Sequence, residues 1–172
     1  MMTHEFNEEY KILFDSDFSL TVDYSQTLKH MINRGNYKRI DKYITSKNFP
    51  SPINFAGQII EVSAKLFYFN FGGNLDRKDA IKKLHQEGYR PGILEELLSF
   101  GATYPRVQKT FSIAGIGCFS WSNHYAPYKV AYLSSSGSTA MEIEEYSRTL
   151  ECAGTKYLGG QVLLGVHGQG VK

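Results

Sequence analysis

The chain has 172 residues, of which 42% are hydrophobic and 21% are charged, values typical of one globular domain with a buried core. Its formal net charge of +2 is too small to indicate nucleic-acid binding on its own. The first residues contain no apolar segment like that of a signal peptide, and no apolar run approaches the roughly 20 residues that span a bilayer. We therefore expect a soluble cytoplasmic protein whose partners include neither a membrane nor a nucleic acid.

The charged residues are unevenly distributed along the chain. The first twenty residues carry five carboxylates against Lys11 alone, whereas residues 29–47 carry six cations against Asp41 alone. The six cations are Lys29, Arg34, Lys38, Arg39, Lys42 and Lys47. This pattern predicts a patchy surface, part of which favours an anionic partner. The alternative is that these charges only solvate the outer face of a helix.

The beginning of the chain predicts short elements. Residues 1–22 favour a partly flexible start followed by one or two short strands, because their apolar residues alternate loosely. Residues 23–35 have the spacing of a helix, with Asp23 or Ser25 as its N-cap and Gly35 at its C-terminal end.

The clearest strand pattern comes next. Residues 37–44 favour an irregular or short helical turn, and residues 58–71 then alternate as a long strand. Apolar side chains at every second position from Ile60 to Tyr68 predict one buried face. The opposite face changes from polar to aromatic near Phe67, so we expect both faces of the strand to be covered there.

Residues 74–105 predict two short helices joined by a tight corner of sequence Gly-Tyr-Arg-Pro. Asp76 is a typical N-cap residue for the first helix, and Gly88 stands where helices commonly end in left-handed backbone. Pro91 suits the first turn of the second helix, which we expect to end at Gly101.

The remaining chain predicts β-structure and turns. Strands are expected at residues 111–119, at 127–133, around Met141 and Ile143, and at 161–166. The serine-rich run 134–138 is typical of a flexible turn, and residues 168–172 of a loose tail.

Together these patterns predict a single α+β domain over residues 1–172. We expect short helices packed on a mostly antiparallel, twisted sheet. Residues 23–105 form the helix-rich half with one long strand, and residues 106–167 form the β-rich half.

Several short motifs follow one another along residues 23–133. They are Gly35-Asn36-Tyr37, Ile44-Thr45-Ser46-Lys47-Asn48-Phe49-Pro50, Gly88-Tyr89-Arg90-Pro91, Leu94-Glu95-Glu96-Leu97-Leu98, Tyr104-Pro105 and Phe111-Ser112-Ile113. In these motifs the chain resembles a family of small uncharacterised bacterial proteins. The resemblance implies no known activity. Ile93 stands where that family would have a capping Thr, and a glycine-rich tail replaces its usual basic strand.

The corner Gly88-Tyr89-Arg90-Pro91 also resembles, more weakly, the corner that opens a helix in the C-type-lectin-like fold. That resemblance implies a binding scaffold whose loops select the ligand, without a particular chemistry. Function must therefore be argued from individual residues.

The loop after the strand at residues 111–119 is the strongest candidate for a binding site. It contains Trp121, Asn123, His124 and Tyr125, with Tyr128 just beyond them. Aromatic rings beside hydrogen-bonding groups are suited to stacking on a nucleobase or a sugar and recognising its edges. The alternative is a hairpin whose Trp side chain packs on the core.

Basic residues outside this loop supply the charge that an anionic ligand would need. The candidates are Lys38 and Arg39, together with Arg90 and its neighbour Tyr89 at the helix corner. Arg90 has an alternative role, in which it donates to carbonyl groups at a helix end or to a nearby carboxylate.

No motif indicates catalysis or metal binding. The five His residues lack the paired spacing of metal ligands, and the serines at 134–138 lie in no nucleophile elbow. Cys118 and His124 are close only in sequence, and the glycines at 72–73 favour a turn, since the Lys-Ser/Thr ending of a phosphate loop is missing. We expect no cofactor and no metal, and we favour a protein that is not an enzyme.

These observations favour a non-catalytic protein that captures a small anionic ligand of nucleotide type, with a homo-oligomer as an expected arrangement. Such a protein would sense or sequester a nucleotide signal in the conflict between phages and bacteria. A second hypothesis is a protein-interaction module that acts through exposed aromatic residues. A third is a small hydrolase or transferase that uses His124.

Overall fold

The computed structural model describes residues 10–51, 55, 57–69, 76–120, 129–136, 147–154 and 162–167. Its helices are α1 (Leu28–Arg34), α2 (Arg77–Gln86), α3 (Leu94–Thr103) and α4 (Val107–Thr110). Its strands are β1 (Tyr10–Ile12), β2 (Phe18–Asp23), β3 (Arg39–Ile40), β4 (Ile59–Phe69), β5 (Arg90–Pro91), β6 (Ile113–Ser120), β7 (Lys129–Ser136), β8 (Ser147–Gly154) and β9 (Val162–His167). These elements confirm the predicted α+β class, in which helices pack on a large and mostly antiparallel sheet.

The strands in the described ranges belong to one sheet with the order β1-β4-β9-β6-β7-β8-β3. Strand β2 pairs with β4 on the same edge as β1, and β5 pairs with β9 on the same side as β6. The β3–β8 and β6–β9 pairs are parallel, and the other pairs are antiparallel. Strand β9 therefore lies inside the sheet, between β4 and β6. Strands β1 and β2 form one edge of the sheet, and β3 forms the other.

Apolar side chains cover both faces of this sheet. On one face, Val62 and Leu66 of β4 pack with the apolar residues of α1 and α3. On the other face, Phe67 of β4 packs with Leu84 of α2. The predicted alternation along this strand is confirmed, as is the covering of both faces near Phe67.

The first helix of the predicted pair is confirmed at both ends. The Asp76 carboxylate accepts a hydrogen bond from the Lys78 backbone N–H, which satisfies a donor of the first turn. Gly88 follows the end of α2 with a φ of 82°, in the left-handed region that glycine adopts without strain.

Two predictions for the second helix are wrong. Pro91 lies in β5, paired with Gly165 of β9, and is not in the first turn of a helix. Gly101 lies inside α3 and does not end it. A Cβ at Gly101 would lie 2.5 Å from the hydroxyl oxygen of Tyr37, so this glycine allows close packing.

Helix α1 is shorter than predicted. It begins after Thr27, whose hydroxyl accepts a hydrogen bond from the His30 N–H. Asp23 is still the last residue of β2, and its carboxylate accepts from Ser25 in the following turn. Gly35 is the C-cap, as predicted.

The sheet contains pairings that the local sequence does not predict. Residues 39–40 form strand β3 where a turn is expected, and the serines at 134–136 continue β7 because they pair with residues 147–149 of β8. The strand expected around Met141 and Ile143 lies outside the described residues. Within the described ranges, no helix is long and apolar enough to cross a membrane.

Candidate functional site

The basic segment predicted to bind an anion forms one edge of the sheet. Lys38 and Arg39 lie at β3, next to β8, and both are exposed. The Arg39 guanidinium forms an ion pair with the Glu151 carboxylate. The Arg39 side chain is 69% exposed and the Glu151 side chain is 20% exposed. The Tyr132 hydroxyl on β7 donates a hydrogen bond to the other Glu151 oxygen at 2.6 Å. One acid is therefore shared by two donors, and much of the Arg39 side chain stays open to solvent.

The chain that follows β3 contacts Cys152 of β8 and Lys129, the first residue of β7. The Asp41 carboxylate accepts hydrogen bonds from the Tyr43 N–H at 2.9 Å and from the Cys152 thiol at 3.2 Å. The Lys129 ammonium lies 4.2 Å from the centroid of the Tyr43 ring, within the range of a cation–π attraction. Because Lys129 begins β7 directly after residues 121–128, these contacts join the basic segment to the base of the predicted binding loop.

We call the cations at and just after β3, together with Tyr43 and Lys129, the basic corner. They are Lys38, Arg39, Lys42, Tyr43 and Lys129. No carboxylate in the described part of the chain forms an ion pair with Lys129. An ammonium has three N–H donors and a ring face accepts none of them in a directed hydrogen bond, so Lys129 has donors to offer a ligand.

The acid and thiol at the basic corner are suited to hydrogen bonding and not to nucleophilic attack. Burial raises the pKa of the Cys152 thiol to about 12, and the hydrogen bond to Asp41 acts in the same direction. Burial also acts to raise the pKa of Asp41, but hydrogen bonds from Tyr43 and Cys152 and the charge of Lys129 lower it overall. At neutral pH Cys152 is therefore a protonated donor and Asp41 an ionised acceptor.

Arg90, the third predicted basic residue, binds a carboxylate inside the protein. Its two terminal nitrogens donate to the two oxygens of Glu96 at 2.9 and 2.5 Å, and Glu96 is fully buried. Glu96 also accepts from the Ile93 N–H at the start of α3 and from the Tyr24 hydroxyl. Burial, followed by the charge of Glu96, raises the pKa of Tyr24. This geometry matches the alternative left open above, in which Arg90 donates to a nearby acid.

Tyr89 packs on the opposite face of the sheet, with the apolar residues under α2. Its hydroxyl donates to the Asp17 carboxylate at 3.1 Å, and its ring makes an edge contact with the ring of Phe67. Asp17 also accepts from the Ser63 hydroxyl and pairs with Lys65 at 3.3 Å. Burial, and then the bond to Asp17, raises the pKa of Tyr89, so its hydroxyl acts as a donor.

The predicted basic residues are thus separated into two groups. Lys38 and Arg39 lie at β3, whereas Tyr89 and Arg90 lie at or beside β5, in line with β6. Three strand spacings separate β6 from β3, or about 14 Å at about 4.8 Å each. The predicted loop residues Trp121, Asn123, His124, Tyr125 and Tyr128 lie outside the described residues.

Two members of the basic corner, Lys129 and Tyr43, are absent from the sequence-based prediction. Lys129 is the first basic residue after the aromatic loop, and this position is a usable sequence signal. Its contact with Tyr43 has no local signal, because it depends on the parallel pairing of β3 with β8.

Comparison of the chain with protein-family models, with curated proteins and with solved structures found no match. The resemblance to a family of small bacterial proteins therefore stays a prediction. In the described ranges, no group of three or more His, Cys, Asp or Glu residues is arranged to hold a metal ion.

Proposed function

We propose that the chain is a non-catalytic binding protein that captures a small anionic ligand of nucleotide type at the basic corner. The observation that carries this proposal is the position of Lys129, which lies on the Tyr43 ring and directly follows the predicted loop that contains Trp121. Exposed Lys38 and Lys42 add positive charge on the neighbouring edge.

The charges of the basic corner support the phosphate part of the ligand. Phosphate oxygens accept strong hydrogen bonds from ammonium and guanidinium groups. Lys129 forms no ion pair with the described carboxylates. A guanidinium has five N–H groups, and Arg39 binds Glu151 through only one of its terminal nitrogens. Both side chains therefore have donors left for an anion.

The sequence of the predicted loop around Trp121 supports the base part of the ligand. In this proposal a nucleobase stacks on Trp121 or Tyr125, the phosphates contact Lys129, and Arg39 attracts them from the neighbouring edge. Stacking of one base on an aromatic side chain contributes about 1–3 kcal/mol and tolerates different bases. Capture without chemistry is the behaviour required of a protein that senses or sequesters a nucleotide signal.

Arg90 and Tyr89 have no part in this proposal. Arg90 donates to a fully buried Glu96, and Tyr89 donates to Asp17 on the other face of the sheet. A ligand at the basic corner would not reach either side chain without displacing these partners.

Fluorescence tests the proposal directly, because Trp121 is the single Trp of the chain. We expect nucleoside mono-, di- or triphosphates to quench wild-type fluorescence in a saturable manner. Lys129→Ala should weaken affinity about tenfold or more, since a hydrogen bond to a charged group contributes about 1.5–3 kcal/mol. Lys11→Ala, at an exposed lysine of β1, is the matched control and should bind like the wild type.

Two outcomes would overturn the proposal. In the first, no nucleotide of the panel quenches Trp121 or raises the melting temperature, and the protein-interaction hypothesis then takes its place. In the second, Lys129→Ala and Lys11→Ala weaken binding equally, which would show that overall charge and not the basic corner is responsible.

A further inference from the structure

The first turn of α3 contains two carboxylates in succession, and only one of them is paired with a cation. Both oxygens of Glu96 are bound by the terminal nitrogens of Arg90. No cation in the described part of the chain forms an ion pair with Glu95, the residue before it. Two carboxylates and one guanidinium therefore leave this end of α3 with one negative charge that no side chain balances.

The Glu95 carboxylate is largely removed from water. It accepts a hydrogen bond from the Ser51 side chain, whereas its Oε2 atom is buried and has no hydrogen-bond partner among the described residues. Burial raises the pKa of Glu95, and the charge of Glu96 acts in the same direction. The residue as a whole is partly exposed, so a small ligand can approach it from solvent. A positively charged ligand at Oε2 would stabilise the ionised carboxylate.

A second polar group without a partner lies on the same side of α3. Ser99 follows Glu95 by four residues, and residues at this spacing are neighbours on the surface of a helix. Ser99 is only 6% exposed, and its hydroxyl oxygen has no hydrogen-bond partner in the ranges that the structure describes. Because buried polar groups are nearly always hydrogen-bonded, two such groups one turn apart point to a polar ligand between them.

Tyr24 adds an aromatic ring to this region. Its hydroxyl donates to Glu96 at 3.2 Å, and its ring packs on the ring of Phe55 with the centroids 5.1 Å apart. Burial raises the pKa of Tyr24, and the charges of Glu96 and Glu95 act in the same direction, so both carboxylates lie near this side chain. The face of an aromatic ring attracts cations, which agrees with the sign of the charge on Glu95.

We infer that Glu95 and Ser99 form a binding site for the primary ammonium group of a small molecule. An ammonium has three N–H donors and no acceptor, so it can donate to both oxygens that lack a partner. Its single positive charge balances the charge of Glu95. Phosphates and carboxylates are repelled here, so this ligand differs in charge from the one proposed for the basic corner. The inference does not depend on the proposed nucleotide binding.

Isothermal titration calorimetry of the full chain with n-butylammonium chloride at neutral pH tests this inference. We expect saturable binding to the wild type. Tetramethylammonium and potassium have the same charge but no N–H group. Each should bind at least about tenfold more weakly, because neither can donate a hydrogen bond to Glu95 or Ser99.

Two variants and a control place the ligand at this site. Glu95→Gln should abolish saturable binding, and Ser99→Ala should weaken it about tenfold. Glu61→Gln, at an exposed carboxylate of β4, removes the same charge and should bind like the wild type. Butylammonium should also raise the melting temperature of the wild type and of Glu61→Gln, but not that of Glu95→Gln. The same melting curves show whether each variant is folded, and Ser99→Ala carries the test alone if Glu95→Gln is not.

Three results would overturn the inference. The first is a wild type without saturable binding, which would mean that Glu95 only stabilises the start of α3. The second is equally tight binding of tetramethylammonium or potassium, and the third is an equal loss of affinity in Glu61→Gln and in the site variants. Because these titrations contain no nucleotide, their outcome is separate from the quenching of Trp121, and either proposal can fail without the other.

Discussion

Arg90 and Arg39, both predicted to bind an anion, each pair with a glutamate, but in opposite surroundings. The Arg90 side chain is 15% exposed and that of Glu96 is fully buried, whereas the Arg39 side chain is 69% exposed. Glu96 also accepts from a backbone N–H and a tyrosine, and these bonds hold the buried pair in place. The presence of a basic residue in a sequence therefore does not show that a ligand can reach it. Whether it is available depends on how deeply its acidic partner is buried.

Breaking the buried pair should have the largest effect on stability. Arg90→Ala leaves the Glu96 carboxylate buried without its cation, and we expect the free energy of unfolding to fall by about 3–5 kcal/mol. Urea denaturation followed by circular dichroism measures this change. Glu96→Ala should cost a similar amount, and the double variant should cost clearly less than the sum of both. Fully additive costs would show that the two side chains act independently.

Arg148 extends the comparison to an arginine without a carboxylate partner among the described residues. Its Nε donates to the Gln108 side chain. Its terminal nitrogens donate to the carbonyl oxygens of Gly35, the C-cap of α1, and of Gly101 in the last turn of α3. Arg148→Met leaves partly or fully buried acceptors without donors, so we expect a loss of about 1–3 kcal/mol in the free energy of unfolding. Urea denaturation again measures it, with the exposed Arg106→Met as the control. A loss no larger than that of the control would contradict a structural role for these bonds.

The pair of Asp17 and Lys65 is intermediate, with side chains 34% and 19% exposed. The hydrogen bond from Ser63, aided by Lys65, lowers the pKa of Asp17 below its ordinary 3.8. Because the pKa is lower in the folded state, Asp17 stabilises the fold above pH 3.8, and this contribution is lost as the pH falls through the folded-state pKa. We expect Asp17→Asn to cost less than about 1 kcal/mol at neutral pH.

The measurement for Asp17 is the free energy of unfolding of wild type and variant over a series of pH values. Their difference should shrink toward zero as the pH falls below the folded-state pKa of Asp17. Asp15→Asn, at an exposed position two residues away, is the control and should match the wild type throughout. A difference that grows on acidification would have the wrong sign for a carboxylate stabilised in its charged form.

Breaking the exposed pair of Arg39 and Glu151 should have the smallest effect on stability, but a larger effect on nucleotide binding than breaking the buried pair of Arg90 and Glu96. Arg39→Ala should change the free energy of unfolding by no more than about 1 kcal/mol, because water competes for both partners. In the Trp121 fluorescence titration, the same variant should weaken nucleotide affinity, whereas Lys47→Ala, farther along the basic segment, should not. The reverse ranking, with Arg39→Ala costing more stability than Arg90→Ala, would overturn the comparison itself.

Local signals account for the parts of the fold that the sequence predicts. The alternation along β4, the N-cap at Asp76 and the left-handed Gly88 each depend on a few neighbouring residues, and all three are confirmed. Strand β3 and the strand conformation of Ser134 depend instead on pairing with β8, which no local pattern contains. Long-range pairing overrides the turn preference of serine there.

The candidate site divides in the same way. The charge of the segment around Lys38 is visible in the sequence, as is the aromatic loop at Trp121. That Lys129 contacts Tyr43, and that Arg90 is bound to Glu96, depends on which strands and helices meet. The sequence shows which chemical groups are present, and the fold determines which of those residues remain available to a ligand.

The central position of β9 has a consequence for synthesis of the chain. This strand, the last one described, lies between β4 and β6, so a ribosome must deliver residue 167 before the two parts of the sheet can join. Until then β4 and β6 each present an additional unpaired edge, and such edges promote pairing with wrong partners. Nascent chains stalled before β9 should accordingly be retained by chaperones and cleaved readily by proteases, although they already contain the other strands of the described sheet.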